Sequence, residues 1–247
     1  MARRSFFQSS NPFMRETTYQ RTSQDILDRS IGERMTIRGA ISKTFILATI
    51  MLLTTGIGFA FPSSILLWGG VIGAFIIVLI LSFRPQWSPS LAPVYAALEG
   101  LFLGTISYIY AAAFEGIVFQ AFSLTIAALF AMLFIYQSGI IKVTGRFRMM
   151  IVMATGAIAV VYLLTFILSR FGISMPYLHD GGTFGMVISA VILAIACLNL
   201  LLDFDNFEMG ERYGAPAYME WFSAMGLLIT LVWIYLEILR LLSRLRK

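Results

Sequence analysis

The sequence predicts an all-α polytopic membrane protein, a bundle of seven transmembrane helices. Three observations carry this reading. Apolar residues make up 59% of the 247 positions and charged residues only 13%, far from the balance of a soluble domain. Seven apolar runs, roughly 44–61, 64–83, 91–113, 116–136, 148–170, 184–202 and 218–240, are each about long enough to cross a ~30 Å hydrocarbon core as helix. The connections between them are short and leave no room for a soluble domain.

The elements follow in order. Residues 1–43 form a polar N-terminal tail, expected in the cytoplasm, with eight basic residues from Arg3 to Lys43 against Glu16, Asp25, Asp28 and Glu33. Arg3 and Arg4 are followed by no apolar core of a signal peptide, so none is expected to be cleaved. Ser9 to Pro12 read as an irregular start, and Gln24 to Lys43 as a surface helix. The membrane domain occupies residues 44–247. Its first span closes on Thr54, Thr55, Gly56 and Gly58 before the turn at Phe61 and Pro62. Gly69 with Gly73 in the second span, and Gly100 with Gly104 in the third, have the small-xxx-small spacing of close helix packing; Ala190 and Ala194 repeat it weakly in the sixth. The first and sixth runs are short, so one could be re-entrant. His179 falls in the loop before the sixth span, and Cys197 packs as a small apolar side chain within it.

Lys and Arg in short loops set orientation. With the N-terminus inside and seven spans, the inner side collects thirteen basic residues and the outer side five. A re-entrant segment would return the basic C-terminus inside and make the count seventeen against one. The net charge of +5 lies in the tail and the loops, which suits anionic lipid head groups and not nucleic acid.

Acids at the ends of spans and within them point to an ion path, a proton relay or a pH switch. The sixth span ends in Asp203, Phe204, Asp205, Asn206, which lacks the residues of an EF-hand loop at its fifth and sixth positions. At 100° per residue, Asn199, Asp203 and Asn206 share one face, while Asp205 points about 160° from Asp203. Asp203 is therefore expected to face the bundle and Asp205 the aqueous loop with Glu208 and Glu211. Glu220 opens the last span after the hairpin Gly210 to Pro216, on the side of Asp203, so the two form a carboxylate pair. Glu237 lies roughly 25 Å further along, near Arg240 and Arg244. Glu99 in the third span is an ion-pair candidate for Arg84, which could equally bridge Asp203 and Glu220 as a pH-sensitive latch. No HExxH, GxSxG, Walker loop or CxxC occurs. No enzyme and no cofactor is expected.

The segment Ala97-Leu98-Glu99-Gly100-Leu101-Phe102-Leu103-Gly104 resembles the third-span signature of the Bax inhibitor, or TMBIM, family. Leu201-Leu202-Asp203-Phe204-Asp205 and Tyr235 to Leu242 fit the same family in the same order, from about Ile41 to the end, with the look of a bacterial branch. The resemblance implies a seven-helix bundle with a central last helix and a pH-sensitive Ca²⁺ leak channel of the inner membrane. It also implies a latch of aspartates in the sixth and seventh spans with an arginine in the second. Asp203, or else Asp205, would take the sixth-span position and Arg84 the arginine position. The seventh-span aspartates have no counterpart between Ala224 and Tyr235, and Glu220 is the nearest acid. The expected partners are membrane lipids and Ca²⁺ or H⁺. The alternative is a regulatory protein that restrains another membrane protein, such as a membrane protease.

Overall fold

The computed structural model describes residues 34–171 and 183–246; the tail before Arg34 and the loop with His179 lie outside the described residues. Among the described residues seven α-helices follow one another: α1 Ile37–Ala60, α2 Ser64–Phe83, α3 Ser88–Ala113, α4 Ile117–Ser138, α5 Gly145–Arg170, α6 Thr183–Arg212 and α7 Tyr218–Leu245. All seven are long and apolar enough to cross a membrane. A 3-10 turn, Pro85–Trp87, joins α2 to α3.

The ends of these helices are set by local chemistry. Thr36 caps α1, its side chain accepting from Gly39 N, and Ser63 and Thr144 cap α2 and α5 in the same way. The Thr36 cap places the helix start ahead of residue 44, because Arg38 and Lys43 are carried in its first turns and not in a separate surface helix. At α6 the helix runs unbroken to Arg212, so Asp203, Asp205, Glu208 and Glu211 are all helical. Neither α1, of 24 residues, nor α6, of 30, is a short re-entrant segment.

Helix α7 is the axis of the bundle and the most buried helix. It packs against α1, α3, α4 and α6. Helix α2 rests on α3, and α5, the least buried, packs closely on α6 alone. Seven antiparallel crossings give the bundle a near end, where the chain enters α1, and a far end, where it leaves α7. Near-end contacts tie Met35 N to Ala215 O (2.7 Å) and Ser88 Oγ to Tyr218 O (2.7 Å). At the far end Arg246 reaches back to the α3–α4 turn, donating to Glu115 O at 2.5 Å.

The α1–α3 contact is the closest in the bundle because glycine removes the side chains between two backbones. A Cβ on Gly100 would lie 2.3 Å from Met51 O, one on Gly104 2.2 Å from Thr55 O, and one on Gly58 2.4 Å from Leu101 O. In α2 the packing pair is Gly70 and Gly73, set against Leu98 and Phe102, while Gly69 faces open space; Ala190 and Ala194 are exposed on the lipid side. Spacing alone names a glycine pair but not which helix face the neighbour takes. Gly104→Ala is therefore expected to push α1 from α3 and destabilise the protein by about 1–3 kcal/mol. Gly69→Ala, with free space and better helix propensity, should hold or slightly raise stability. Thermal unfolding of the two variants in detergent checks the contrast.

Candidate functional site

Polar side chains inside α5, α6 and α7 line up by helical repeat. Arg148, Thr155 and Tyr162 are seven residues apart on α5, and Thr230, Glu237 and Arg244 on α7. A seven-residue step returns to nearly the same face about 10 Å further along. Between these two faces stand Asn199, Asp203 and Asn206 of α6. The result is a polar seam that runs from the near end to the far end of the bundle.

At the near end, Arg148 clamps α5 to α6. Its Nη2 donates to Asp205 Oδ2 at 2.5 Å and its Nη1 to Asn206 Oδ1 at 2.8 Å. Asp205 is thus bound in an ion pair on the helix and does not stand in an aqueous loop. One step deeper, Asn199 Nδ2 donates to Thr155 Oγ1 at 2.8 Å and to Ile195 O at 2.9 Å. Asp203 faces Thr230 of α7, with the Arg148 charge nearby. Its Oδ2 is buried and, among the described residues, has no hydrogen-bond partner.

Toward the far end, Glu237 is 1% exposed. Its Oε1 accepts from Tyr162 OH at 2.5 Å and from Arg240 Nη1 at 2.7 Å, and Arg240 Nη1 also donates to Tyr162 OH at 2.6 Å. Its Oε2, like Asp203 Oδ2, is buried without a partner among the described residues. Arg244 closes this end on Ser189 Oγ (2.7 Å) and on the carbonyl of Gly185. The seam therefore holds two orphaned carboxylate oxygens at different depths, with arginines toward both ends.

The other expected site residues lie elsewhere. Glu220 is buried, but its Oε1 accepts from Thr36 N at 3.0 Å and Thr36 Oγ1 at 3.1 Å. Glu211 Oε1 accepts from Ile37 N at 3.1 Å. Two carboxylates of the α6–α7 hairpin thus sit at the positive end of the α1 helix dipole, where negative charge is favoured. A Cβ on Gly39 would fall 1.9 Å from Glu220 Oε1, so the glycine is what admits the acid. Thr230, which faces Asp203, is ten residues beyond Glu220, or about 15 Å along the helix, too far for the two acids to share a proton.

Arg84, the C-cap of α2, is exposed. Among the described residues the ion pairs are Arg148–Asp205, Arg212–Glu208 and Arg240–Glu237, so Arg84 has no ion pair with Glu99, Asp203 or Glu220. Glu99 is half-buried on α3 and has none either. Helix adjacency brings α2 and α3 together, but the Arg84 side chain leaves the helix end toward solvent. Sequence reasoning missed Arg148, Thr155, Tyr162 and Thr230. Their seven-residue repeat was the available signal.

Tyr162 joins the peripheral α5 to the central α7 across a gap that the backbones do not close. Tyr162→Phe removes one of two donors to a buried carboxylate oxygen and should cost about 1–3 kcal/mol. Arg240→Ala leaves that carboxylate without a counter-charge and should cost more, about 3–5 kcal/mol. If unfolding measurements found Tyr162→Phe and Arg240→Ala both neutral, the far-end cluster would not be holding α5.

No curated protein and no solved structure matches this chain. The family described as Bax inhibitor 1 like matches residues 4–247, which takes in nearly the whole tail as well as the seven helices. Seven membrane-length helices around a central last helix agree with that match, and the chain belongs to the Bax inhibitor 1 like family.

Proposed function

We propose that the protein is a pH-sensitive cation leak channel of a bacterial inner membrane. Ca²⁺ is the cation carried, the α5–α6–α7 seam is the route, and Asp203 is the step that protonation controls. The observation that carries this reading is Asp203 Oδ2, a carboxylate oxygen buried in a membrane helix without a donor among the described residues. An acceptor left unsatisfied in an apolar setting calls for a proton, water or a cation. Thr230 beside Asp203, and Asn199 with Thr155 about one turn deeper, add neutral polar oxygens along the route, suited to a passing cation. The described residues hold no group of three His, Cys, Asp or Glu that could retain a metal ion, which favours passage over storage. No covalent chemistry is assigned to the seam.

The charge pattern supports a cytoplasmic N-terminus. Thirteen Lys and Arg residues fall at or beyond the near end and five at the far end, and the excess belongs inside. The near-end clamp at Arg148 then faces the cytoplasm, and the Glu237–Arg240 cluster lies toward the outside.

The sign of the pH response follows from burial. Protonated, Asp203 is neutral and fits the packed bundle; ionised, it has to be hydrated or paired, which favours opening of the seam and cation entry. Arg148 is committed to Asp205 and Asn206 and is not free to neutralise it fully. Ca²⁺ efflux from proteoliposomes loaded with an indicator should therefore rise with pH for the wild type. Asp203→Asn, neutral at every pH, should give a low and flat profile, and Asp205→Asn, which frees Arg148 to pair with the ionised Asp203, should lower the leak at high pH. Flux from Asp203→Asn with the wild-type profile contradicts the assignment. Wild-type flux no greater than that of empty liposomes contradicts conduction and leaves the regulatory reading.

A further inference from the structure

A second feature lies on the opposite side of α7 from the seam. Helices α1 and α4 both pack on α7 but scarcely touch each other, and between them lies a cavity of about 690 Å³. Its floor is Leu228, Val232 and Tyr235 of α7, and its lips carry Leu52, Phe119 and Phe122, all exposed. The polar groups on its walls are spent internally. Ser107 and Tyr235 bond each other at 2.7 Å, Thr55 Oγ1 donates to Met51 O at 2.7 Å, and Thr125 Oγ1 to Ala121 O at 2.8 Å. Nothing in the groove asks for water or a polar ligand.

Its dimensions fit one leaflet. The lining residues of α4 run from Gly116 to Ile126 and those of α1 from Phe59 back to Ala48, each about 15 Å at helical rise. That is half of a ~30 Å hydrocarbon core. The groove starts at the far-end surface and stops near mid-membrane. At its mouth stands an exposed cation: Arg246 donates to Glu115 O at 2.5 Å, beside Gly116, and to Gln120 Oε1 at 2.8 Å, beside Phe119. Both acceptors are neutral, and among the described residues Arg246 has no ion pair.

We infer that this groove holds one acyl chain of a glycerophospholipid from the far leaflet, with the lipid phosphate at Arg246. The chain replaces the helix contact that α1 and α4 do not make, and the phosphate supplies the charge that Arg246 lacks. The inference does not depend on the conduction reading, because the seam and the groove lie on different faces of α7.

Gly56 offers the test. It lines the groove, and a Cβ there meets nothing within 4 Å, so Gly56→Phe fills the space without displacing a helix. Gly69→Phe, on the open lipid side of α2, is the control. Full-length protein is placed in nanodiscs of palmitoyl-oleoyl phosphatidylethanolamine, released, and examined by native mass spectrometry. Wild type and Gly69→Phe should each retain one phospholipid, and Gly56→Phe should retain about tenfold less. Arg246→Ala, a surface change that folds however the groove tolerates filling, should lose part of the retention. Retention in Gly56→Phe equal to the wild type overturns the proposal, as do equal losses in both glycine variants or a retained mass that is not a phospholipid. Undiminished retention in Arg246→Ala overturns the placement of the phosphate.

Discussion

A polar group carried into hydrocarbon has to find its partner inside the protein, and this constraint decides how α5, α6 and α7 are held together. Arg148, Asn199, Tyr162, Arg240 and Arg244 all spend their donors on neighbouring helices or on a carboxylate one turn away. Among the described residues two buried side-chain acceptors, Asp203 Oδ2 and Glu237 Oε2, are left over. Buried polar groups are ordinarily hydrogen-bonded, which makes these exceptions informative. They lie on one seam, at different depths, and one of them is tied to a three-residue cluster while the other faces a single threonine.

The two halves of the bundle differ in what holds them. Helices α1, α2 and α3 approach through glycine, backbone against side chain or backbone, and have little room to move. Helix α5 is tied to α7 by the reach of Tyr162 and to α6 by side-chain bonds of Arg148 and Thr155. Tight packing of α1 and α3 on α7 provides a fixed wall, and side-chain hydrogen bonds hold the opposite one. A bundle built this way can loosen on one side without losing its fold. The acidic α6–α7 hairpin adds a further tie, since Glu211 and Glu220 cap α1 from across the chain.

Much of the architecture was legible in the sequence because run length and hydropathy respond to the membrane and little else. The beginning of α1 was not, because Arg38 and Lys43 break the apolar run while Thr36 still caps the helix. The inward aspect of Asp203 followed from a 100° rotation on a helix that proved regular to Arg212. The partners of Glu220 and Arg84 did not follow. Glu220 bonds a residue 184 positions away, and the aim of an arginine at a helix end depends on local dihedrals that spacing does not carry. Arg148 was visible only as a loop cation that sets orientation. Its register with Thr155 and Tyr162 acquires meaning only once α5 is known to pack on α6.

Ionisation of Asp203, as proposed, opens the seam between α5 and α7 to water. The reactivity of Thr155→Cys and Thr230→Cys, in a Cys197→Ser background, toward a membrane-impermeant thiol reagent across pH reports that opening. Labelling should grow as pH rises by more than thiol ionisation explains, and Asp203→Asn should abolish this excess. Labelling that is absent at every pH, or identical with and without the aspartate, would show that Asp203 does not open the seam.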